Sequence, residues 1–286
     1  MVTTSPISKL VLDNRVFYVK RDDLIDPFLA GNKYRKLYTL LNTPTKKYNK
    51  IISYGGTQSN AMLAISAMCK TKGWEFIYYT KPLSEFQKNS KNGNYFHSLK
   101  LGMKHIEIDN ELYRDFIASL PITIDDKTFI VDQGGAVEEA KEGLEVLAKE
   151  IRDANLPIKA VATPSGTGTT ALFLALALSE YKIYTVPCIG DVAYLKEQMM
   201  ALHNPLPKNL IILEPAKKYH FAKPYKKFFE IYKKTKDAGV EFDLLYAPSM
   251  WLHLLESTND DILYIHSGGV SGNGSMLERY EKKGYN

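Results

Sequence analysis

The chain carries the stretch GNKYRKL at positions 31–37, preceded by KRDD at positions 20–23. Helical spacing predicts a helix over residues 33–41, so Lys33 would lie where the positive end of the helix dipole opposes its charge. That environment is expected to lower the pKa of the amine and to make it available as a nucleophile or base. Taken alone, such a stretch is more typical of a capping Asn32 followed by a solvated basic face.

A second motif, GGTQSN at positions 55–60, follows a predicted strand at 50–54 and opens a predicted helix at 59–72. The backbone N–H groups and polar side chains of such a turn can cradle a carboxylate or an aromatic hydroxyl. Ser59 is also the expected N-cap of the helix. The two roles are compatible, so both remain open for Ser59.

A third motif, PSGTGTT at positions 164–170, again stands between a predicted strand and a predicted helix. Its glycines and hydroxyls predict a phosphate cradle. The loop is neither a dinucleotide fingerprint nor a Walker loop, so one phosphate monoester fits better than a triphosphate with magnesium. A simple tight turn is the alternative. The candidate phosphate-binding residues are Ser165, Gly166, Thr167, Gly168, Thr169 and Thr170.

Two C-terminal segments carry further candidates. Tyr246 could supply a phenol for acid–base chemistry, although a packing role is more common in a chain with 19 tyrosines. An apolar predicted strand at 262–266 ends in Ser267 and a glycine pair. The six histidines show no metal-ligand spacing, so no metal site is expected.

Short β-rich runs alternate with helical segments, which predicts an α/β protein with mostly parallel sheets. The predicted strands are 16–20, 50–54, 75–80, 105–108, 160–163, 183–187, 210–213 and 262–266. The predicted helices are 33–41, 59–72, 138–155, 169–181, 192–203, 223–238 and 249–256. Residues 44–128 are predicted to form a small lobe, ending in an irregular connection at 110–127, inserted between the 1–43 and 129–286 parts of a large lobe. The cleft between the lobes is the expected ligand site.

Composition restricts the class of protein. The net charge of +5 comes from scattered lysine pairs, with no basic arm suited to nucleic acid. Cys69 and Cys188 lack the spacing of a disulfide framework or a metal site. No signal peptide is visible at the start, and the longest apolar run, 171–178, is too short to span a bilayer. We therefore expect a cytoplasmic protein without a membrane partner.

Together these motifs resemble the pyridoxal-phosphate (PLP) enzymes of the tryptophan-synthase-β-like fold, fold type II. They look most like the family of 1-aminocyclopropane-1-carboxylate deaminase and D-cysteine desulfhydrase. The resemblance rests on KRDD at 20–23, GNKYRKL at 31–37, GGTQSN at 55–60, QGG at 133–135, the 165–170 loop, Tyr246 with residues 249–250, and HSGG at 266–269. It implies two lobes, each a mostly parallel twisted sheet covered by helices, with PLP in the cleft between them.

The resemblance also implies roles for individual residues. Lys33 would hold PLP through a Schiff base and carry the substrate proton. Asn60 would bond the ring hydroxyl, Ser59 would contact the substrate carboxylate or assist at the reacting carbon, and residues 165–170 would hold the phosphate. Tyr246 would act beside a small amino-acid substrate as acid, base or nucleophile. Related folds commonly form dimers, so a homodimer is expected by analogy.

The chain departs from the deaminase pattern at several places. Ala247 stands where deaminases carry Glu, and Ser267 stands where they tend to have Leu, which is closer to the desulfhydrase pattern. Residues 248–250 and the aromatic segment 219–221 also differ from the family pattern. Ser267 is thus the predicted partner of the ring nitrogen.

These departures favour a D-cysteine desulfhydrase-like lyase, which would release pyruvate, ammonia and sulfide by α-proton abstraction and β-elimination. A 1-aminocyclopropane-1-carboxylate deaminase is the alternative enzyme. A non-catalytic homologue that binds PLP or an amino acid is the alternative of another class. A nucleotide-binding protein would need a fingerprint that the sequence lacks.

Overall fold

The computed structural model describes residues 4–29, 31–135, 139–215, 217 and 219–285. In this part of the chain, ten strands form two sheets. The strands are β1 Ile7–Leu12, β2 Arg15–Lys20, β3 Lys50–Tyr54, β4 Glu75–Thr80, β5 Lys104–Glu107, β6 Thr128–Val131, β7 Ala160–Ala162, β8 Lys182–Thr185, β9 Leu210–Ile212 and β10 Ile262–Ile265.

Twelve α-helices accompany these strands in the same described residues. They are α1 Asn32–Lys36, α2 Tyr38–Asn42, α3 Asn60–Lys72, α4 Glu85–Lys88, α5 Gly93–Lys100, α6 Tyr113–Thr123, α7 Ala140–Asp153, α8 Thr169–Ala177, α9 Val192–Met200, α10 Lys226–Asp237, α11 Ala247–Ser257 and α12 Asn273–Glu281. Short 3-10 turns cover Asp22–Leu24, Gln133–Gly135 and Val270–Gly272.

The larger sheet has the strand order β1-β2-β10-β7-β8-β9. Only β1 and β2 pair in antiparallel fashion, joined by Asp13 and Asn14, which both adopt positive φ as a two-residue hairpin turn requires. The other neighbours in this sheet are parallel. The smaller sheet, ordered β5-β4-β3-β6, is parallel throughout.

The larger sheet is buried on both faces, as its apolar strands predict. Side chains alternate along β10 because successive residues of a strand point to opposite faces. Ile262 and Tyr264 join one apolar cluster, where Tyr264 stacks on Trp251 with ring centroids 4.5 Å apart. Leu263 and Ile265 join the opposite cluster, which α7 and α8 cover.

A buried ion network fastens α1 to the larger sheet. Arg35 bonds Asp22 and Glu150 with two hydrogen bonds each, and Lys20 reaches Glu150 at 2.7 Å. Lys20, Asp22 and Arg35 are almost fully buried. Residues of the KRDD and GNKYRKL motifs are therefore structural ties rather than a solvated basic face, and removing one partner would leave a buried charge uncompensated.

The eight predicted strands are all present, with ends shifted by at most two residues. The predictions omitted β1, β6 and four helices: α4, α5, α6 and α12. The prediction of an irregular connection over 110–127 was wrong, because α6 occupies most of it. The predicted helix 33–41 is interrupted at Leu37, which separates α1 from α2. The predicted start of α7 at residue 138 lies outside the described residues.

Hydrogen bonding assigns β6 to the smaller sheet, beside β3. The lobe boundaries at 43/44 and 128/129 remain a proposal. In the described residues, no helix is long and apolar enough to cross a bilayer. No cluster of three or more His, Cys, Asp or Glu side chains could hold a metal ion in that part of the chain.

Candidate active site

A cavity of about 310 Å³ opens between the two sheets. Its walls come from segments that follow the carboxyl ends of five strands: β3, β6, β7, β8 and β10, together with the start of α1. Open α/β sheets bind ligands at this edge. The lining residues include Lys33, Ser59, Asn60, Ser165, Gly166, Thr167, Gly168, Thr169, Thr170, Tyr246 and Ser267.

Lys33 lies at the start of α1, and Gly31 determines where that helix begins. Gly31 has a φ of +64°, and a Cβ there would lie 1.9 Å from the carbonyl oxygen of Ser267. The N–H of Asn32 donates to the same oxygen at 3.3 Å. Only glycine permits this approach, so the lysine segment docks directly on the loop that follows β10.

The amine of Lys33 faces the cavity and donates to Oδ1 of Asn32 at 3.0 Å. Burial lowers the pKa of Lys33 to about 8, while the negative charge of Asp243 partly opposes this shift. At neutral pH a larger fraction of such an amine is unprotonated than of an exposed lysine, so it is more available as a nucleophile or base.

Lys36 is a second lysine in the cavity wall, and the sequence reasoning missed it as a site residue. It is buried, and its amine donates to the carbonyl oxygen of Gly134 at 3.0 Å. Burial, and then the charge of Lys33, hold the pKa of Lys36 well below its usual value. The spacing of three residues, which puts both lysines on one face of α1, is the signal that could have identified it.

The turn after β3 places the polar side chains of Gln58, Ser59 and Asn60 at the cavity. Ser59 caps α3 as expected, because its Oγ accepts the N–H of Met62 at 3.2 Å. Asn60 begins α3, and its Oδ1 accepts from Nδ2 of Asn94 at 2.8 Å. Both Ser59 and Asn60 line the cavity, so capping and a ligand-binding position coexist.

The loop after β7 wraps one end of the cavity and leads into α8. Gly168 caps α8 with a φ of +79°, and a Cβ there would lie 2.4 Å from Cγ of Met199. Ser165 lines the cavity, but its hydroxyl bonds that of Thr185 at 2.6 Å and its backbone N–H donates to the carbonyl oxygen of Val186 at 3.1 Å. Thr170 accepts from Nδ2 of Asn32 at 3.4 Å, which ties the loop to the lysine segment.

Tyr246 lines the cavity beside the loop after β7, because a Cβ on Gly166 would lie 3.5 Å from its ring. Phe221 lies next to it at a ring-centroid distance of 5.2 Å. The backbone N–H groups of Leu245 and Tyr246 donate to Oδ1 of Asp243 at 3.0 and 2.6 Å. Burial, reinforced by the charge of Asp243, raises the pKa of Tyr246, so its phenol stays protonated.

Asp243 is a buried carboxylate to which the sequence analysis gave no role. Burial raises its pKa to about 6, against the hydrogen bonds of the following backbone and the charge of Lys33. Its carboxylate thus binds the backbone just before α11, and its negative charge acts on the amine of Lys33.

Ser267 is half-buried at the cavity, directly after His266. The imidazole of His266 donates from Nε2 to the carbonyl oxygen of Glu241 at 2.8 Å and accepts the N–H of Gly268 at Nδ1 at 3.2 Å. These partners require the neutral ring, whose tautomer is assigned from them. Burial lowers the pKa of His266 accordingly.

The structure therefore brings every predicted site residue to one cavity. Within the described lining, Lys33 and Lys36 are the charged side chains, and no carboxylate is among them. The cavity is suited to an anionic ligand, and its volume falls at the lower end of the range of about 300–1,000 Å³ typical of cofactor sites. The individual roles of the residues remain predictions.

Comparison with known proteins places the chain among named relatives. No protein-family profile matches it. It is 27% identical over 284 residues to a putative 1-aminocyclopropane-1-carboxylate deaminase of Thermotoga maritima, covering 89% of both chains. It is 25% identical over 290 residues to a D-cysteine desulfhydrase of Salmonella paratyphi A, covering 90% of this chain and 87% of that protein. These names confirm the resemblance inferred from the motifs.

The solved structures support the fold. The chain matches an ACC deaminase homologue with a TM-score of 0.77 and 21% identity, covering 97% of this chain and 94% of that one. It matches a fungal L-serine ammonia-lyase from Rhizomucor miehei with a TM-score of 0.67 and 15% identity, over 98% of both chains. The predicted fold class, an α/β architecture of fold type II, is confirmed.

Proposed function

We propose that this chain, which shares its fold with PLP enzymes of fold type II and its sequence with the deaminase and desulfhydrase relatives, is a PLP-dependent lyase acting on a small amino acid. The observation that carries the proposal is the single cavity in which Lys33, the 165–170 loop and the 59–60 turn meet. A D-cysteine desulfhydrase-like reaction, which yields pyruvate, ammonia and sulfide, is the specific activity proposed.

The lining fits PLP by its chemistry. The amine of Lys33 would bind the aldehyde, and the glycine-rich loop at the start of α8 would hold the phosphate through backbone N–H groups. Asn60 would donate to the ring hydroxyl, and Ser267 would meet the ring nitrogen. When bound, the cofactor supplies the electron sink for the reaction.

Lys36 supplies positive charge at the phosphate end. Its amine is bonded to Gly134, and a Cβ on Gly134 would lie 3.3 Å from Cγ2 of Thr167 in the phosphate loop. Lys36 therefore reaches the segment that packs against this loop. A buried ammonium there would pair with the phosphate dianion, which would restore the charge that burial penalises.

Different side chains of the cavity would act as base and as acid in the reaction. A lysine with a pKa of about 8 is roughly 10% unprotonated at pH 7, so Lys33 can accept the α-proton of a substrate and return it. Tyr246, whose phenol stays protonated because burial raises its pKa, would act as an acid. Ser59 would contact the substrate carboxylate from the start of α3.

Ser267 and Ala247 favour elimination over opening of a cyclopropane ring. A carboxylate at the ring nitrogen keeps that nitrogen protonated and the electron sink strong, whereas a hydroxyl does so less. Within the described lining no carboxylate is present, and Ala247 is fully buried in the apolar core. This favours a substrate such as D-cysteine, which already carries a leaving group. The deaminase remains the second candidate because the Thermotoga maritima relative carries that name.

Two measurements test the proposal. Purified protein should absorb in the visible, and borohydride reduction followed by peptide mapping should label Lys33, with no label in Lys33→Ala. Keto-acid release should then be screened with D-cysteine, 1-aminocyclopropane-1-carboxylate and a panel of D- and L-amino acids. Pyruvate with sulfide from D-cysteine supports the desulfhydrase, and 2-oxobutanoate from the cyclopropane substrate supports the deaminase. Labelling without turnover would support a non-catalytic homologue, and a colourless protein without label would refute PLP binding.

A further inference from the structure

Asn94 lies behind the cavity and contacts the turn that carries Asn60. It is the second residue of α5 and is fully buried. Its Nδ2 donates to the carbonyl oxygen of Gln58 at 3.2 Å and to Oδ1 of Asn60 at 2.8 Å. Its Oδ1 accepts the hydroxyl of Ser271 at 3.1 Å. Both donors and the acceptor of this side chain are thus in use.

These bonds determine which way two amide groups point. A backbone carbonyl can only accept, so the atom of Asn94 that faces Gln58 must be the nitrogen. The same nitrogen then donates to Asn60, so the atom of Asn60 that faces it must be the oxygen. The NH₂ group of Asn60 is left on the other side of its amide plane.

The free side of Asn60 lies next to Gly269 and the cavity. A Cβ on Gly269 would lie 2.5 Å from Nδ2 of Asn60, so glycine leaves the room that this amide occupies. Asn60 itself lines the cavity. The amide therefore presents a hydrogen-bond donor, and not an acceptor, on its cavity side.

We propose that Asn94 is a positioning residue that holds the Asn60 amide with its NH₂ group toward an acceptor oxygen of the bound cofactor. This inference rests on the proposed function, since the acceptor is the ring oxygen of PLP. Without Asn94, nothing in these contacts decides between the two faces of the Asn60 amide, because the terminal torsion of Asn is broad and roughly two-fold. Half of the rotamers would then offer oxygen to oxygen.

The same contacts join the two sheets. Asn94 belongs to α5, which follows β4 of the smaller sheet, while Ser271 follows β10 of the larger sheet. Ser275 in α12 makes a parallel contact by donating to Oε1 of Gln58 at 3.3 Å. Ser275 touches neither Asn60 nor Asn94 in these bonds, so it provides a matched control for the interface alone.

The test compares PLP binding to the apoprotein by absorbance titration in five forms: wild type, Asn94→Ala, Asn60→Ala, the double variant and Ser275→Ala. We expect Asn94→Ala to weaken PLP binding about tenfold, the order of one lost hydrogen bond. It should add nothing in the Asn60→Ala background, because the two residues act through one bond. Ser275→Ala should bind PLP as the wild type does. The visible band of bound PLP should shift alike in Asn94→Ala and Asn60→Ala.

Several results separate the possibilities. Unchanged PLP affinity in a folded Asn94→Ala protein, or additive losses in the double variant, would overturn the positioning role. If Asn94→Ala does not fold, Ser271→Ala is used instead, because it removes only the hydroxyl that bonds Asn94. A loss of PLP affinity in Ser271→Ala that disappears in the Asn60→Ala background supports the positioning role. An additive loss of affinity, or no loss, refutes it. Failure of the wild type to bind PLP would refute the proposed function itself and is distinguishable from each of these outcomes.

Discussion

The amine of Lys33 and the carboxylate of Asp243 control one another's protonation. Burial lowers the pKa of Lys33 to about 8, and Asp243 raises it against that trend. Asp243→Asn keeps an oxygen to accept the N–H groups of Leu245 and Tyr246 but removes the charge. We expect the pKa of Lys33 to fall further in this variant. The pH dependence of Lys33 labelling by an amine reagent in the apoprotein, followed by peptide mapping, measures it.

A matched control for this experiment is Asp191→Asn. Asp191 likewise accepts a backbone N–H with its carboxylate, that of Tyr194 at the start of α9, but it is exposed. Its substitution should leave the labelling midpoint of Lys33 unchanged. Equal midpoints in wild type and Asp243→Asn would contradict the electrostatic coupling.

Lys33 also destabilises the folded apoprotein, because its charged amine is buried. The folded pKa of about 8 lies below the usual 10.5, so the unfolded chain binds more protons and the penalty is fully present below pH 8. Lys33→Met should therefore raise the free energy of unfolding at pH 7, by on the order of 1–3 kcal/mol.

Urea unfolding of the apoprotein at several pH values measures this effect. The gain should shrink as pH rises from 8 through 10.5, since the wild-type lysine then loses its charge in both states. Lys91→Met, at an exposed lysine, should change stability little at any pH. A destabilised Lys33→Met protein at pH 7 would contradict the assignment of a buried charge.

At the scale of elements, local signals predicted the strands well and several helices poorly. The buried strands of both sheets are short apolar runs between turn residues, which is a strong signal. α6 was missed because it carries Pro121 and leaves large apolar side chains such as Ile122 exposed, so it lacks a continuous apolar face. The break at Leu37 also carries no sequence signal, because leucine is a good helix former. The residues on either side of it, Arg35 and Tyr38, pack closely on Gly143 of α7.

The contact between Gly31 and the loop after β10 allows a prediction about where α1 begins. Gly31→Ala must accept both a positive φ and a Cβ 1.9 Å from the carbonyl oxygen of Ser267. Gly73→Ala must accept a φ of +71° but meets no neighbouring atom within 4 Å. We expect Gly73→Ala to lose about 1 kcal/mol of stability and Gly31→Ala to lose at least twice as much, with displacement of α1.

Chemical denaturation of both variants measures the difference between their losses of stability. Both variants carry the strain of a positive φ, so this difference reports the close contact at Gly31 alone. Visible absorbance after PLP addition reports whether Lys33 still reaches the cofactor. Gly31→Ala should lose this band in proportion to the displacement of α1, whereas Gly73→Ala should keep it. Equal losses of stability in the two variants would mean that the loop after β10 adjusts freely.

At the scale of the molecule, the candidate site could be predicted where a segment carries a local sequence pattern. The strand, glycine turn and helix order at 50–60 and 160–170 is local, and parallel strands bring such turns to one edge. The spacing to Lys33 could place Lys36 on the same face of α1, but no local pattern predicts the proposed roles of Lys36, Asp243 and Asn94. Their proposed roles depend on which loop packs on Gly134, on the charge that faces Lys33, and on contacts between α5 and the segment after β10. These relations arise only when segments far apart in the sequence pack together.

The cavity lies between the two sheets, so a cofactor bound there is expected to stabilise the fold of both. We expect the phosphate of the cofactor to supply much of this stabilisation. PLP should raise the thermal midpoint, because a ligand that binds only the folded state adds stability as its concentration exceeds its Kd. Pyridoxal, which lacks the phosphate, should raise it less. Lys36→Ala should weaken PLP binding and leave pyridoxal binding nearly unchanged, whereas Lys91→Ala should affect neither. Titration with both ligands measures this. An equal loss for PLP and pyridoxal in Lys36→Ala would show that Lys36 supports α1 and not the phosphate.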